Sequence, residues 1–171
     1  FGAEIRTHYP IELADEVSVI RQEGRLVADV PPVILEILAR YTRALRQSPA
    51  INQTSGVSAR FAIAGAETVA AAALRRASVR GEDHAVARIV DLEPAAEVLT
   101  GKSEFESGEE GREQGVLDHL LRTATAETVR AHLHGIDMGP LVAALDGHTT
   151  VTTGDQVTAR EFLQNLPELN G

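Results

Sequence analysis

Three groups of residues in this chain have types and spacings that could do chemistry: an arginine at the head of an alanine-rich stretch, a glycine–lysine–serine run, and several histidines. The first is Arg60, which closes Thr54-Ser55-Gly56-Val57-Ser58-Ala59-Arg60. Polar residues and a glycine give way there to residues 61–77, where alanine dominates and no proline interrupts. That pattern predicts a loop handing over to a long helix with Arg60 in its first turn. Helix N-termini favour negative charge, through the backbone dipole and the free N–H groups. A cation in that position gains nothing from the helix and is placed to meet an anion, for which a phosphate is the obvious candidate. The plain alternative is a solvated or salt-bridged arginine.

The second group is Gly101, Lys102 and Ser103, at the end of Ala96-Glu97-Val98-Leu99-Thr100-Gly101-Lys102-Ser103. This is a permissive form of a phosphate-binding loop, with alanine where glycine usually stands. Such a loop needs a strand before it and a helix opening at the lysine and serine, so that successive N–H groups wrap the phosphates. Here the preceding residues read as helical, and Glu104 and Glu106 follow where like charge would oppose a triphosphate. Among the six histidines, His132 and His134 are closest, but two residues apart on a helix they face different ways. His119 beside Asp118 has no third ligand in view, so no metal site is expected. There is no G-x-S-x-G elbow and no cysteine for nucleophilic catalysis. Glu109-Glu110 reads as helix-capping charge.

The 171 residues are enough for one domain or two small ones with a core that needs no disulfides. Zero cysteines fits a reducing compartment. A net charge of −9 argues against a basic nucleic-acid surface. No run approaches the roughly 18 apolar residues of a membrane span, so the expectation is a cytoplasmic protein with no membrane and no nucleic-acid partner. Of the 16 basic residues only Lys102 is a lysine, and with the abundant alanine this fits a GC-rich bacterial source. The opening Phe1-Gly2-Ala3, without methionine, reads as part of a longer or processed polypeptide.

The elements that would position these residues are mainly α-helical. Residues 1–10 alternate and end in proline, which predicts an extended segment. Leu13, Val17 and Ile20, early acids, late arginines and Gly24 predict a first helix over 12–23. Pro31-Pro32 opens a second, to about Gln47, with Ile34, Leu38, Tyr41 and Leu45 on one face. With the alanine-rich helix this makes a compact bundle. Val86 to Val90 reads as a strand or a linker, and Asp91 as the cap of a short helix through Leu99. The acidic, glycine-containing residues 101–112 read as a hinge between lobes. Ser107-Gly108-Glu109-Glu110 reads as a capping box launching a long helix with Leu117, Leu121 and Ala124 inward. A short helix at Leu141, Val142 and Leu145, a threonine-rich strand or loop over Gly147–Gly154, and a last helix capped by Thr158 and Glu161 with Phe162, Leu163 and Leu166 inward complete the chain. The expected division is a lead-in over 1–10, a helical bundle over 11–83, a linker with a short helix over 84–111, and a helical C-terminal lobe over 112–171, with few or no short strands.

This order of features resembles the C-terminal part of AAA+ ATPases. It is most similar to the magnesium chelatase ATPase subunit and the related MoxR-like proteins, over about residues 1–90. In that family the motor core ends at Asp-Arg-Phe-Gly, and Phe1-Gly2 match its last two residues. Gly56-Val57-Ser58-Ala59-Arg60 is similar to the sensor-2 motif at the start of a lid helix. The resemblance therefore implies an AAA+ lid whose sensor-2 residue is Arg60, serving as both catalytic and cofactor-binding residue by reaching the γ-phosphate of ATP. Arginine suits that task, because its fixed fork of donors matches phosphate oxygens. The later half, with Thr100-Gly101-Lys102-Ser103-Glu104-Phe105-Glu106 and Ser107-Gly108-Glu109-Glu110-Gly111-Arg112-Glu113, looks like an extension in a bacterial chelatase-like branch.

The nucleotide loop, magnesium-binding acids, sensor-1 residue and arginine finger would all lie before residue 1. ATP and magnesium are thus expected in the parent protein and not on this fragment, which alone would not be catalytic. The implied partners are a homo-oligomeric ring and a protein with an integrin-like (von Willebrand A) domain. The chelatase branch implies metal insertion into a porphyrin, and the MoxR branch chaperone-like remodelling. The rival class is a non-catalytic helical interaction module in which Arg60 is structural.

Overall fold

The second helix, α2, Pro32–Gln47, is the axis of the molecule. Helices α1 (Leu13–Glu23), α3 (Ala59–Arg80) and α5 (Glu113–His132) all pack on it. The computed structural model describes residues 3, 8–52, 54–101, 104–146, 150–164 and 166. Within them the chain is a mainly helical bundle of seven α-helices and one 3-10 turn. Among the described residues, pairing of extended backbone is confined to two isolated bridges, Asp29 with Val86 and Ile51 with Phe105. Among the described residues no helix is long and apolar enough to cross a membrane.

α2 starts as its sequence dictates, with Pro32 at a position whose N–H would have no helical partner. Its buried surface is wider than one stripe. Leu35, Ile37, Ala39 and Thr42 are buried along with Ile34, Leu38, Tyr41 and Leu45, because α5 covers a second side. Leu117 and Ala124 of α5 belong to the same core as α2 and α3, and Leu120 and Leu121 pack against it. The division expected at residue 112 therefore does not separate the cores: α5, assigned by sequence to a C-terminal lobe, makes the most extensive helix pair of the structure with α2.

α3 buries Phe61, Ala62, Gly65, Ala66, Val69, Ala70, Ala73 and Ala77, so its inner face is almost all small. A Cβ on Gly65 would lie 3.3 Å from a Leu38 methyl and 3.4 Å from a Leu99 methyl. The missing side chain lets α2 and α4 (Glu93–Thr100) close on α3 from two directions. Tyr41 and Phe61 fill the remaining space with their rings 5.7 Å apart and tilted by 58°.

Several local expectations change in detail. Asp91 does not begin α4: it closes a 3-10 turn, Ile89–Leu92, by accepting the Arg88 N–H at 2.8 Å. Val86 pairs with Asp29 as an isolated bridge and not as a strand. Ser107–Glu110 does not launch α5, whose N-cap is Arg112 without a side-chain cap. Positive φ at Gly108 (+107°) and Gly111 (+80°) breaks the helical path between Ser107 and Glu113. The Glu110 carboxylate instead accepts the Gly108 N–H at 2.9 Å.

The Thr158–Glu161 box does form, with Thr158 N–H donating to the Glu161 carboxylate and Glu161 N–H to the Thr158 hydroxyl. Yet α7, Ala159–Gln164, leaves Leu163 and Leu166 exposed and Phe162 only half-buried. Its attachment is instead through Val157, which is buried, and through Arg88, which donates to the Val157 carbonyl at 2.8 Å. α6, Gly139–Asp146, forms where expected, with Val142 and Leu145 exposed. Of the threonine-rich stretch, residues 147–149 lie outside the described residues, and 150–153 are irregular.

Candidate functional site at the head of the third helix

Arg60 is the second residue of α3 and is exposed. Among the described residues its guanidinium has no hydrogen bond or ion pair. The N-cap Ser58 is extended (φ −71°, ψ 163°) and its hydroxyl does not bond to the first turn. The helix therefore begins with free N–H groups and an arginine whose donors are all unspent, an arrangement suited to an anion.

The loop that presents Arg60 is held from beneath. Gly56 has φ +65°, which favours glycine, and a Cβ there would sit 2.5 Å from the Tyr9 hydroxyl, so a side chain would displace the ring. Val57 is buried, and its carbonyl accepts from Arg46 Nε at 2.8 Å. Arg46 also binds the Glu16 carboxylate through both terminal nitrogens, at 2.6 and 3.0 Å. Glu16 is fully buried and Arg46 nearly so. The Tyr9 ring lies against the guanidinium, 4.0 Å from Cζ to the ring centroid. One arginine on α2 thus gathers the N-terminal segment, α1 and the Arg60 loop.

The outer side of the loop is closed by the acidic segment. Asn52 N–H donates to the Glu104 carbonyl at 2.8 Å and Glu106 N–H to the Ala50 carbonyl at 2.9 Å. Phe105 packs on the core and the Ser55 hydroxyl donates to the Glu104 carboxylate. Residues 104–106, expected from composition to be part of a hinge, are stitched to 50–52 through their backbone.

Among the described residues, the other sequence candidates make no contact with Arg60. Gly101 follows the last turn of α4, so a helix precedes it where a phosphate loop would need a strand. Lys102 and Ser103 lie outside the described residues, as do Phe1 and Gly2. No group of three His, Asp or Glu side chains comes together in metal-binding geometry among the described residues. His132 joins the Glu36 carboxylate at 2.9 Å. Burial raises the Glu36 pKa, but hydrogen bonds and charge from His132 and Arg40 outweigh it and hold the carboxyl below its ordinary value.

Composition and spacing did not reveal the buried arginines. Arg46 is one of three arginines, with Arg40 and Arg43, in the C-terminal half of α2, and no local spacing sets it apart. Arg76, at the close of the alanine run, is also buried. Its Nε and one terminal nitrogen meet Asp91 at 3.1 and 3.0 Å, the other meets Glu82 at 2.9 Å, and the Val86 carbonyl accepts at 2.7 Å. The signal available in the sequence was an acid partner for each, but pairs 30 and 15 residues apart are not singled out by any local spacing. The Tyr41 hydroxyl and Arg88 Nε are buried without a partner among the described residues. Burial, with the Asp118 carboxylate adding to it, pushes the Tyr41 phenol further above its ordinary value. Burial lowers the Arg88 pKa, and the neighbouring Arg76 charge lowers it further.

Comparison of the chain with protein-family profiles, characterised proteins and solved structures found no match.

Proposed function

We propose that this chain supplies the lid of an AAA+ ATPase of the magnesium chelatase and MoxR-like type, with Arg60 as its sensor-2 residue. The observation that carries the reading is the exposed Arg60 guanidinium, without a partner among the described residues, at the head of the longest helix. The buried arginines of α2 and α3, Arg46 and Arg76, by contrast have their charges answered by carboxylates. Arg60 would meet the γ-phosphate of ATP held with magnesium by a nucleotide-binding core outside these residues. There it would couple nucleotide state to lid position by stabilising charge on the transferring group. The assembled protein would be a homo-oligomeric, cytoplasmic ring acting on an integrin-like-domain partner, either in metal insertion or in remodelling.

The test is Arg60→Ala in the full-length, assembled ATPase. A charge-assisted hydrogen bond contributes about 1.5–3 kcal/mol, so turnover should fall about 10–100-fold while the fold is kept. Arg60→Lys should not restore it, because the fork geometry is lost. Normal hydrolysis by the assembled Arg60→Ala protein overturns the assignment. Calorimetry on this chain alone should give no ATP binding. Micromolar binding abolished by Lys102→Ala would move the site to the Gly101-Lys102-Ser103 run. The second reading, a non-catalytic interaction module, is favoured by one observation: Ile136, Val142 and Leu145, on and just before α6, are exposed and apolar.

A further inference from the structure

We infer that Arg46 and Tyr9 are positioning residues for Arg60, forming a link through which the segment entering α1 sets the pose of the Arg60 loop. This rests on the sensor reading above and names the regulation of that same site. Arg46 answers three elements at once, with both terminal nitrogens on Glu16 of α1, Nε on the Val57 carbonyl, and one face on the Tyr9 ring. Only Ser58 and Ala59 separate Val57 from Arg60, and Ser58 adds no side-chain cap of its own. The loop is held from beneath by the buried Val57 and its carbonyl bond to Arg46, beside the Gly56 N–H bond to the Asn52 carbonyl. The pair Glu16–Arg46 is buried and fixed, whereas Tyr9 is about half exposed (47%) and belongs to the stretch before α1. The Tyr9 hydroxyl also lies 2.5 Å from where a Cβ on residue 56 would be, so the ring rests against the glycine. A shift of that stretch moves the ring on the guanidinium, and the same guanidinium holds the loop.

The experiment is steady-state ATP hydrolysis by the full-length assembled protein, combined with amide exchange at Gly56 and Phe61, the hydrogen-bonded amides on either side of the loop. Tyr9→Ala breaks the link without touching the buried pair. At an exposed cation–ring contact the expected loss is about 2–5-fold in kcat, with KM changed less and the thermal midpoint close to wild type. Tyr9→Phe keeps the ring and should keep wild-type turnover. Arg46→Lys keeps a positive charge by Glu16 but loses the fork, so it should cost more than Tyr9→Ala. In an Arg60→Ala background, Tyr9→Ala should add no further loss, since both act through one group. Exchange at Gly56 and Phe61, whose N–H groups bond to the Asn52 and Ser58 carbonyls, should quicken in Tyr9→Ala and not in Tyr9→Phe. Wild-type kcat and exchange in Tyr9→Ala, beside an impaired Arg60→Ala, overturn the inference and leave the sensor reading standing. Full turnover in Arg60→Ala overturns the sensor reading, and this inference with it.

Discussion

The two ends of α3 carry arginines in opposite circumstances. At its C-terminal end Arg76 is buried, and its donors go to Asp91, Glu82 and the Val86 carbonyl. At its N-terminal end Arg60 is exposed, with no partner among the described residues. The first arginine closes the 81–92 connection onto the bundle, and every contact it makes is internal. The second contributes nothing to the interior. The same residue type on one helix thus serves structure where its charge is answered from within, and is available for recognition where it is not.

The sharpest way to break this contrast is at Asp91. Asp91→Ala removes one of the two carboxylates on the buried Arg76 and the acceptor of the Arg88 N–H, while Glu82 still answers part of the charge. It should therefore cost about 2–3 kcal/mol in chemical denaturation. A loss under 1 kcal/mol would mean that Arg76 is not held as described.

Gly56→Ala probes the other end. Left-handed backbone costs a non-glycine residue about 1–2 kcal/mol, and the new methyl would also push Tyr9 off Arg46. Both effects should appear, as a lowered melting temperature and faster exchange at the hydrogen-bonded Phe61 amide.

An intermediate case is Glu36, partly exposed and shared by Arg40 and His132. Its carboxyl pKa is lowered in the folded protein, so its stabilisation is present above the ordinary carboxylate range and is lost as pH falls through the lowered value. For such a surface site the amount is about 1 kcal/mol or less. Acid titration of stability should show wild type and Glu36→Gln converging at low pH and separating near neutrality. A separation that grows in acid would reverse the assignment.

Smallest of all, Arg60→Ala should change stability by less than about 0.5 kcal/mol, as for a surface side chain with no partner. A larger loss in thermal unfolding would make Arg60 a structural residue and erase the contrast.

How much of this was legible beforehand differs by element. The start of α2 at Pro32, the end of α1 before Gly24 and the placement of Arg60 in the first turn of α3 all follow from local rules, because proline, glycine and apolar spacing act within one or two turns. The Thr158–Glu161 box was readable for the same reason. Ser107–Glu110 has the same residue pattern and fails, since two glycines with positive φ intervene, and a capping motif says nothing about the backbone downstream of it. Partition of the chain was misjudged at α5, because an acidic loop looks the same whether it joins two lobes or pairs with residues 50–52.

The sequence by itself determined most of the helices and the helix-leading position of Arg60, though not its exposure, through propensities and periodicities that depend on near neighbours. Only the tertiary structure decided that α5 completes the core around α2 and that Glu16 and Arg46 meet beneath the Arg60 loop. It also decided that Asp91 and Glu82 saturate Arg76. Those outcomes depend on which charges are taken out of water together, and that is set by how whole helices pack and not by the spacing along any one of them.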